Sequence, residues 1–72
     1  MKGKRMFYDP EEEQWYVDIQ GRKYGLHCGE TIYFYIGRNA IPCRLELSYK
    51  WYVIMGEMRF DLREKDQYTV SF

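Results

Sequence analysis

The sequence has few cysteines and no excess of one charge. Cys28 and Cys43 are the two cysteines among 72 residues, and eleven basic side chains balance eleven acidic ones. Secreted mini-proteins of this length usually carry more cysteines, so we expect two free thiols and a cytoplasmic location, with a disulfide as the alternative. The neutral balance excludes a strongly basic nucleic-acid module and a polybasic membrane anchor. No apolar run approaches the ~18 residues of a membrane span, and none of signal-peptide length follows the basic start.

Aromatic residues are abundant, at 19% of the chain. A disordered segment would have few aromatics and a strong charge, so this composition predicts a folded chain. The length predicts a single domain over residues 1–72 with a small core and modest stability, about 3–5 kcal/mol.

Apolar and polar residues alternate with a period of two in most of the chain, which predicts strands rather than helices. These segments are rich in β-branched and aromatic residues, which favour a half-buried sheet. Turn residues separate them, such as Asp9-Pro10, Gln20-Gly21 and Gly56-Glu57. The predicted strands are 14–19, 31–36, 40–47, 51–55 and 67–72, with shorter ones at 4–8, 22–26 and 58–62.

The two halves of the chain, 1–36 and 37–72, resemble each other at an offset of 36 residues. Trp15-Tyr16-Val17 recurs as Trp51-Tyr52-Val53, and without a gap Phe7 aligns with Cys43. Shared alternation between two β-rich stretches is the alternative explanation, but it does not require an identical tripeptide. We interpret the pattern as an internal duplication.

Two three-stranded halves would close on each other around their tryptophans, because neither could cover its own sheet alone. We therefore predict an all-β fold, a small barrel of six to eight strands and SH3-like size or a compact sandwich, with pseudo-twofold halves. The predicted core consists of Phe7, Trp15, Val17, Ile19, Tyr24, Leu26, Ile32, Phe34, Ile36, Ile41, Cys43, Leu45, Trp51, Val53, Met55, Phe60, Leu62, Tyr68, Val70 and Phe72.

Four stretches carry a resemblance to a known family: Trp15-Tyr16-Val17, Tyr24-Gly25-Leu26-His27-Cys28-Gly29-Glu30, Ile41-Pro42-Cys43-Arg44-Leu45-Glu46 and Trp51-Tyr52-Val53. The chain resembles a small domain-of-unknown-function family of Firmicute bacteria and their mobile elements. The family has no established activity or functional residues to carry over. The resemblance implies a bacterial, cytoplasmic setting and a role in element maintenance or interference with host systems.

No constellation of residues predicts catalysis, a metal or a cofactor. His27 and Cys28 are adjacent, but neighbours on a strand point to opposite faces and no third orienting residue is identifiable. A zinc site would need Cys43 to leave the core. The carboxylates lie at predicted surface positions, and a domain this small has little room for a substrate cleft. We therefore expect a chain that is not an enzyme.

The outward face of the predicted sheet is unusually aromatic. We predict a binding surface made of Tyr16, Tyr33, Tyr35, Tyr52, Ile54 and Arg44. Tyrosine is enriched at interfaces, so the first interpretation is binding of a protein partner or of a second copy. The second is single-stranded nucleic acid stacked on these rings, with Arg22, Lys23, Arg38, Arg44, Lys50 and Arg59 along the backbone. The third is that the rings merely cover the sheet.

Overall fold

The computed structural model describes residues 3–72, which form eight β-strands. Every pairing between them is antiparallel, and the all-β prediction is confirmed. No helix in this range is long and apolar enough to span a membrane. The strands are β1 Lys4–Asp9, β2 Gln14–Ile19, β3 Arg22–Gly25, β4 Thr31–Ile36, β5 Asn39–Leu47, β6 Trp51–Met55, β7 Met58–Asp61 and β8 Tyr68–Ser71.

The strands form one sheet with the order β3-β2-β1-β8-β4-β5-β6-β7. The strands β1 to β4 of the first half correspond to β5 to β8 of the second half. If each strand is replaced by its counterpart, the strand order becomes the same order read from the other edge. Phe34 on β4 pairs with Val70 on β8, and these residues are 36 positions apart. The pseudo-twofold axis of the strand order therefore passes through this pair.

The sheet curls around its core but does not close into a barrel. Within residues 3–72, β3 and β7 each pair with one neighbour only, so they are the two edges of the sheet. The molecule measures 31 × 30 × 20 Å. The Phe60 ring on β7 lies 6.0 Å from the Tyr68 ring on β8, although three strands separate β7 from β8 in the sheet order. A flat sheet would hold these two strands about 19 Å apart at a spacing of about 4.8 Å, so the sheet bends back on itself. The result is a small sandwich-like fold with two free edges.

Short turns set the strand registers. Gln20-Gly21 connects β2 to β3 with both residues at positive φ, 54° and 81°, as a type I′ turn requires. Gly37 and Gly56 occupy the first position of the two-residue turns after β4 and β6, at φ 62° and 60°. Asp9 accepts hydrogen bonds from the main-chain N–H groups of Glu11 and Glu12. The turns predicted from glycine and aspartate are therefore confirmed.

The inner face of the curled sheet forms the core, and both tryptophans lie in it. Trp15 packs against Tyr8 and Tyr68, with ring centroids 5.4 and 5.7 Å apart. Its indole Nε1 has no hydrogen-bond partner. The buried cluster consists of Met6, Trp15, Val17, Leu26, Ile32, Phe34, Cys43, Leu45, Trp51, Val53, Leu62 and Val70.

The alignment of Phe7 with Cys43 is wrong by one residue. Cys43 pairs with Ile32, and the counterpart of Ile32 at the 36-residue offset is Tyr68, which pairs with Met6. The connection between β1 and β2 spans four residues, 10–13, whereas that between β5 and β6 spans three, 48–50. This difference shifts the parity of β1, so Met6 is buried and Phe7 lies on the outer face.

Four further residues predicted in the core are exposed. Tyr24 and Phe60 lie on the edge strands β3 and β7, where no further strand covers their side chains. Ile36 is the last residue of β4 and Phe72 follows the last residue of β8, so both side chains lie at the ends of their strands and are exposed. The alternation gives the face on which each of these side chains lies, but burial also depends on whether another strand covers it, which alternation does not reveal.

Candidate functional site

Five of the six predicted surface residues lie on the outer face of the neighbouring strands β4, β5 and β6. Arg44 on β5 pairs with Ile54 on β6, and Tyr52 lies two residues before Ile54 on the same outer face of β6. Tyr33 and Tyr35 lie on β4, one strand away from Arg44. The pleat directs alternate residues to one face, so these side chains form a continuous surface.

Tyr33 is the most exposed ring of this group, with 38% of its surface accessible. It pairs with Pro42 on β5 and with Ser71 on β8. Ser71 is buried, whereas Pro42 is exposed. Residues 44–47 of β5 pair with β6, so Pro42 lies beyond that pairing, as expected for a residue without an N–H group.

Tyr35 is half-buried and lies beside Gly3. A Cβ atom on Gly3 would come 3.5 Å from the Tyr35 ring and would overlap the methyl group of Thr69. Gly3 thus lies close to Tyr35 and Thr69. A larger residue at position 3 would therefore displace the Thr69 side chain.

The cations on the outer face are paired with carboxylates. Arg44 binds Glu46 on its own strand, with Nε and Oε2 2.5 Å apart. Arg59 binds Asp61 at 3.0 Å. On the first half of the sheet, Arg5 contacts Asp18 at 3.4 Å and Lys23 contacts Asp9 at 2.9 Å.

Several of the same cations also cover aromatic rings. The Arg59 guanidinium lies 3.8 Å from the centre of the Tyr52 ring, and Lys23 Nζ lies 4.3 Å from the centre of Tyr16. Arg5 covers Phe7 in the same way. Such contacts fill one face of each ring with a side chain of the same molecule. Within the described range, no such cation lies over Tyr33.

Tyr16 lies apart from the other predicted surface residues. It is on the outer face of β2, separated from β4 by β1 and β8, and only 8% of it is exposed. Its neighbour across β2 and β3 is Gly25, where an added Cβ would lie 3.3 Å from the tyrosine ring. Because Gly25 has no side chain, the Tyr16 ring can lie against β3, and Phe7 stacks beside it. At the matching position in the second half, Asp61 opposes Tyr52, which is less buried.

His27 and Cys28 lie in an exposed loop between β3 and β4. The main-chain N–H of His27 donates to the Glu30 carboxylate, and Glu30 N–H donates to the His27 carbonyl. The equivalent loop of the second half has the same turn, with Asp66 N–H donating to Arg63 O. The turn therefore forms with or without histidine and cysteine, as a structural loop requires.

The two cysteines are free thiols in different surroundings. Cys28 is exposed and Cys43 is buried. Burial raises the pKa of the Cys43 thiol to about 11. The prediction of free thiols, with Cys43 in the core, is confirmed. No group of three or more potential metal ligands occurs among residues 3–72.

A second surface feature is an apolar groove along the edge strand β7. Met58 is 73% exposed, Ile36 56% and Phe60 42%. Together with Met55, Phe34 and Tyr68 they line a groove of about 440 Å³. The sequence predicts that these residues lie in strands, but it does not predict the groove. The groove lies beside the edge of the sheet, and only the strand order shows which strand forms that edge.

The fold and its surfaces define a small all-β domain built of two similarly ordered halves. Residues 4–72 match the family described as Domain of unknown function (DUF5348). The chain belongs to this family. No curated protein and no solved structure matches it.

Proposed function

We propose that this chain is a non-enzymatic module that binds another protein through the outer face around Tyr33. We call this surface the Tyr33 patch, and it consists of Tyr33, Tyr35, Pro42, Arg44 and Ile54. The exposure of the Tyr33 ring in the middle of the sheet is the observation that supports the proposal most. Tyrosine combines large contact area with a polar tip and is enriched at protein interfaces.

The charge distribution favours a protein over a nucleic acid. Phosphate contacts dominate nucleic-acid affinity and need cations that are available to them. The chain has no net charge, and four cations of the outer face already bind carboxylates. Phosphates would have to compete with these carboxylates.

The aromatic rings that are covered by other side chains also favour a protein over a nucleic acid. Stacked bases need aromatic faces that are accessible. Tyr16 is buried beneath Lys23, and Arg59 covers one face of Tyr52. Single-stranded nucleic acid is therefore the second candidate, supported by the exposed ring of Tyr33. The bacterial, cytoplasmic and mobile-element setting is part of the same proposal, and the pair of free thiols is consistent with it.

Affinity capture from a bacterial lysate, with and without nuclease treatment, tests the proposal. The Tyr33→Ser variant removes the central ring, and Tyr49→Ser removes a fully exposed ring in the turn after β5 as the matched control. We expect a protein that survives nuclease treatment to be captured by the wild type and by Tyr49→Ser, and to be lost with Tyr33→Ser. Equal capture by both variants, or loss of the bound material on nuclease treatment, would contradict the proposal.

A further inference from the structure

Strand β7 has a free edge. It is the last strand in the sheet order, β6 is its one partner among the residues that the structure describes, and all four of its own residues are exposed. Leu62 N–H, just after β7, donates to Trp51 O at 3.0 Å. Hydrogen bonding alternates along an antiparallel ladder, so Arg59 and Asp61 direct their main-chain groups away from β6. An edge of this kind is a template for another strand.

The side chains of β7 would support an added strand on both faces. On the inner face, Met58 and Phe60 are exposed beside the apolar groove. On the outer face, Arg59 and Asp61 bind each other at 3.0 Å while their side chains remain 54% and 55% exposed. In a pair of such edges, each can exchange this contact for the same contact with the other copy. The edge therefore offers an apolar row and a charged row, one on each side of the sheet.

We propose that β7 pairs with β7 of a second copy in an antiparallel, twofold-symmetric dimer. In the register centred on Phe60, Arg59 of each copy lies opposite Asp61 of the other. Both ion pairs then form between residues whose main-chain groups face the free edge. Phe60 faces its own counterpart, and Met58 faces Leu62, so the apolar groove is covered as well.

Other registers are less favourable for identifiable reasons. A register centred on Arg59 places the two arginines opposite each other, and one centred on Asp61 does the same with the aspartates. Like charges directly opposite each other destabilise a strand pair. Registers centred further out pair β7 with the turn at Glu57 or with the turn that begins at Arg63, neither of which is extended.

The other edge strand, β3, lacks this complementarity although it is the counterpart of β7. Its residues are Arg22, Lys23, Tyr24 and Gly25, with two cations and no acid. Lysine on an edge strand opposes strand addition, and self-pairing would bring cations together. With one competent edge per molecule, association closes at a dimer and does not continue into a fibre.

This inference does not depend on the proposed function. Tyr33 lies on β4, three strands away from β7. A four-residue edge with a groove makes a small interface, so we expect a weak dimer with a dissociation constant between about 1 μM and about 1 mM. A concentration series from about 10 μM to about 1 mM covers this range.

Sedimentation velocity on the full chain, whose monomer is 8.9 kDa, measures the association. Arg59→Asp gives an edge with two acids, and Asp61→Arg gives one with two cations. We expect the wild type to dimerise with rising concentration, each variant alone to remain monomeric, and an equimolar mixture of the two variants to form the dimer again. Arg38→Asp, in the exposed turn after β4, makes the same change from a positive to a negative charge away from the edge and should dimerise like the wild type.

A wild type that stays monomeric up to about 1 mM would overturn the proposal. So would a mixture that stays monomeric when thermal unfolding shows both variants to be folded, or growth beyond a dimer. If each variant were monomeric merely because it is unstable, mixing the two would not restore the dimer. Dimer formation in the mixture therefore tests the charge pairing itself. Capture through the Tyr33 patch is measured separately, so failure of one proposal does not affect the other.

Discussion

Val17 and Val53 provide a paired test of the core. Both are fully buried and occupy matching strands in the two halves. Val17 pairs with Met6 and Val53 with Leu45, which are themselves fully buried. Replacing either valine with alanine removes the equivalent of two methylene groups, about 1.6 kcal/mol of transfer free energy at ~0.8 kcal/mol each. A residual cavity brings the expected loss to about 2 kcal/mol.

This loss is a large share of the stability of a domain of this size, which is about 3–5 kcal/mol. It corresponds to a fall in Tm of roughly 8–16 °C, at about 4–8 °C per kcal/mol. Urea unfolding followed by tryptophan fluorescence and circular dichroism measures it, with Tyr49→Ala as the exposed control. A loss below about 0.5 kcal/mol, the scale of surface substitutions, would refute the burial of that valine.

Three further predictions concern a thiol, a turn and an ion pair. A thiol reagent should label Cys28 rapidly in the native protein and Cys43 only after denaturation, because Cys43 is buried and burial raises its pKa to about 11; rapid labelling of both thiols would contradict this. Gly21→Ala should lower the free energy of unfolding by about 1–2 kcal/mol, since alanine disfavours a φ of 81°, and an unchanged urea midpoint would argue against the type I′ turn. The hydrogen bond from Lys23 lowers the pKa of Asp9, so the stability it contributes is present above the ordinary carboxyl pKa and is lost as pH falls through the lowered one. Asp9→Asn should therefore weaken the fall in stability between about pH 5 and pH 2, and an identical pH profile would show that the pair contributes nothing.

Alternation along the chain predicted most of the strands because the side-chain period of a strand is two. The strands Gln14–Ile19, Thr31–Ile36 and Trp51–Met55 have the predicted bounds. The prediction of Phe7 in the core is wrong because a gapless alignment does not detect the extra residue in the turn after β1. A shift of one residue exchanges the two faces of a strand, so this small difference moves Met6 into the core.

The surface was less predictable than the strands. Tyr16 is buried because Gly25 lies opposite it on β3, and this pairing follows from the register of the hairpin. Phe60 is exposed because β7 ends the sheet, which depends on the order of all eight strands. The charges of Arg59 and Asp61 are visible in the sequence, but their position at a free edge follows from the strand order alone.

Site-specific photo-crosslinking tests the proposed binding surface most directly. A benzophenone amino acid placed at Tyr33 reports what touches the Tyr33 patch in cells, and the same residue at Tyr49 controls for exposure, since Tyr49 is fully exposed in a turn. We predict a discrete protein adduct at Tyr33 and none at Tyr49. Adducts to nucleic acid at Tyr33, or protein adducts at Tyr49 with none at Tyr33, would contradict the assignment of this face to protein binding.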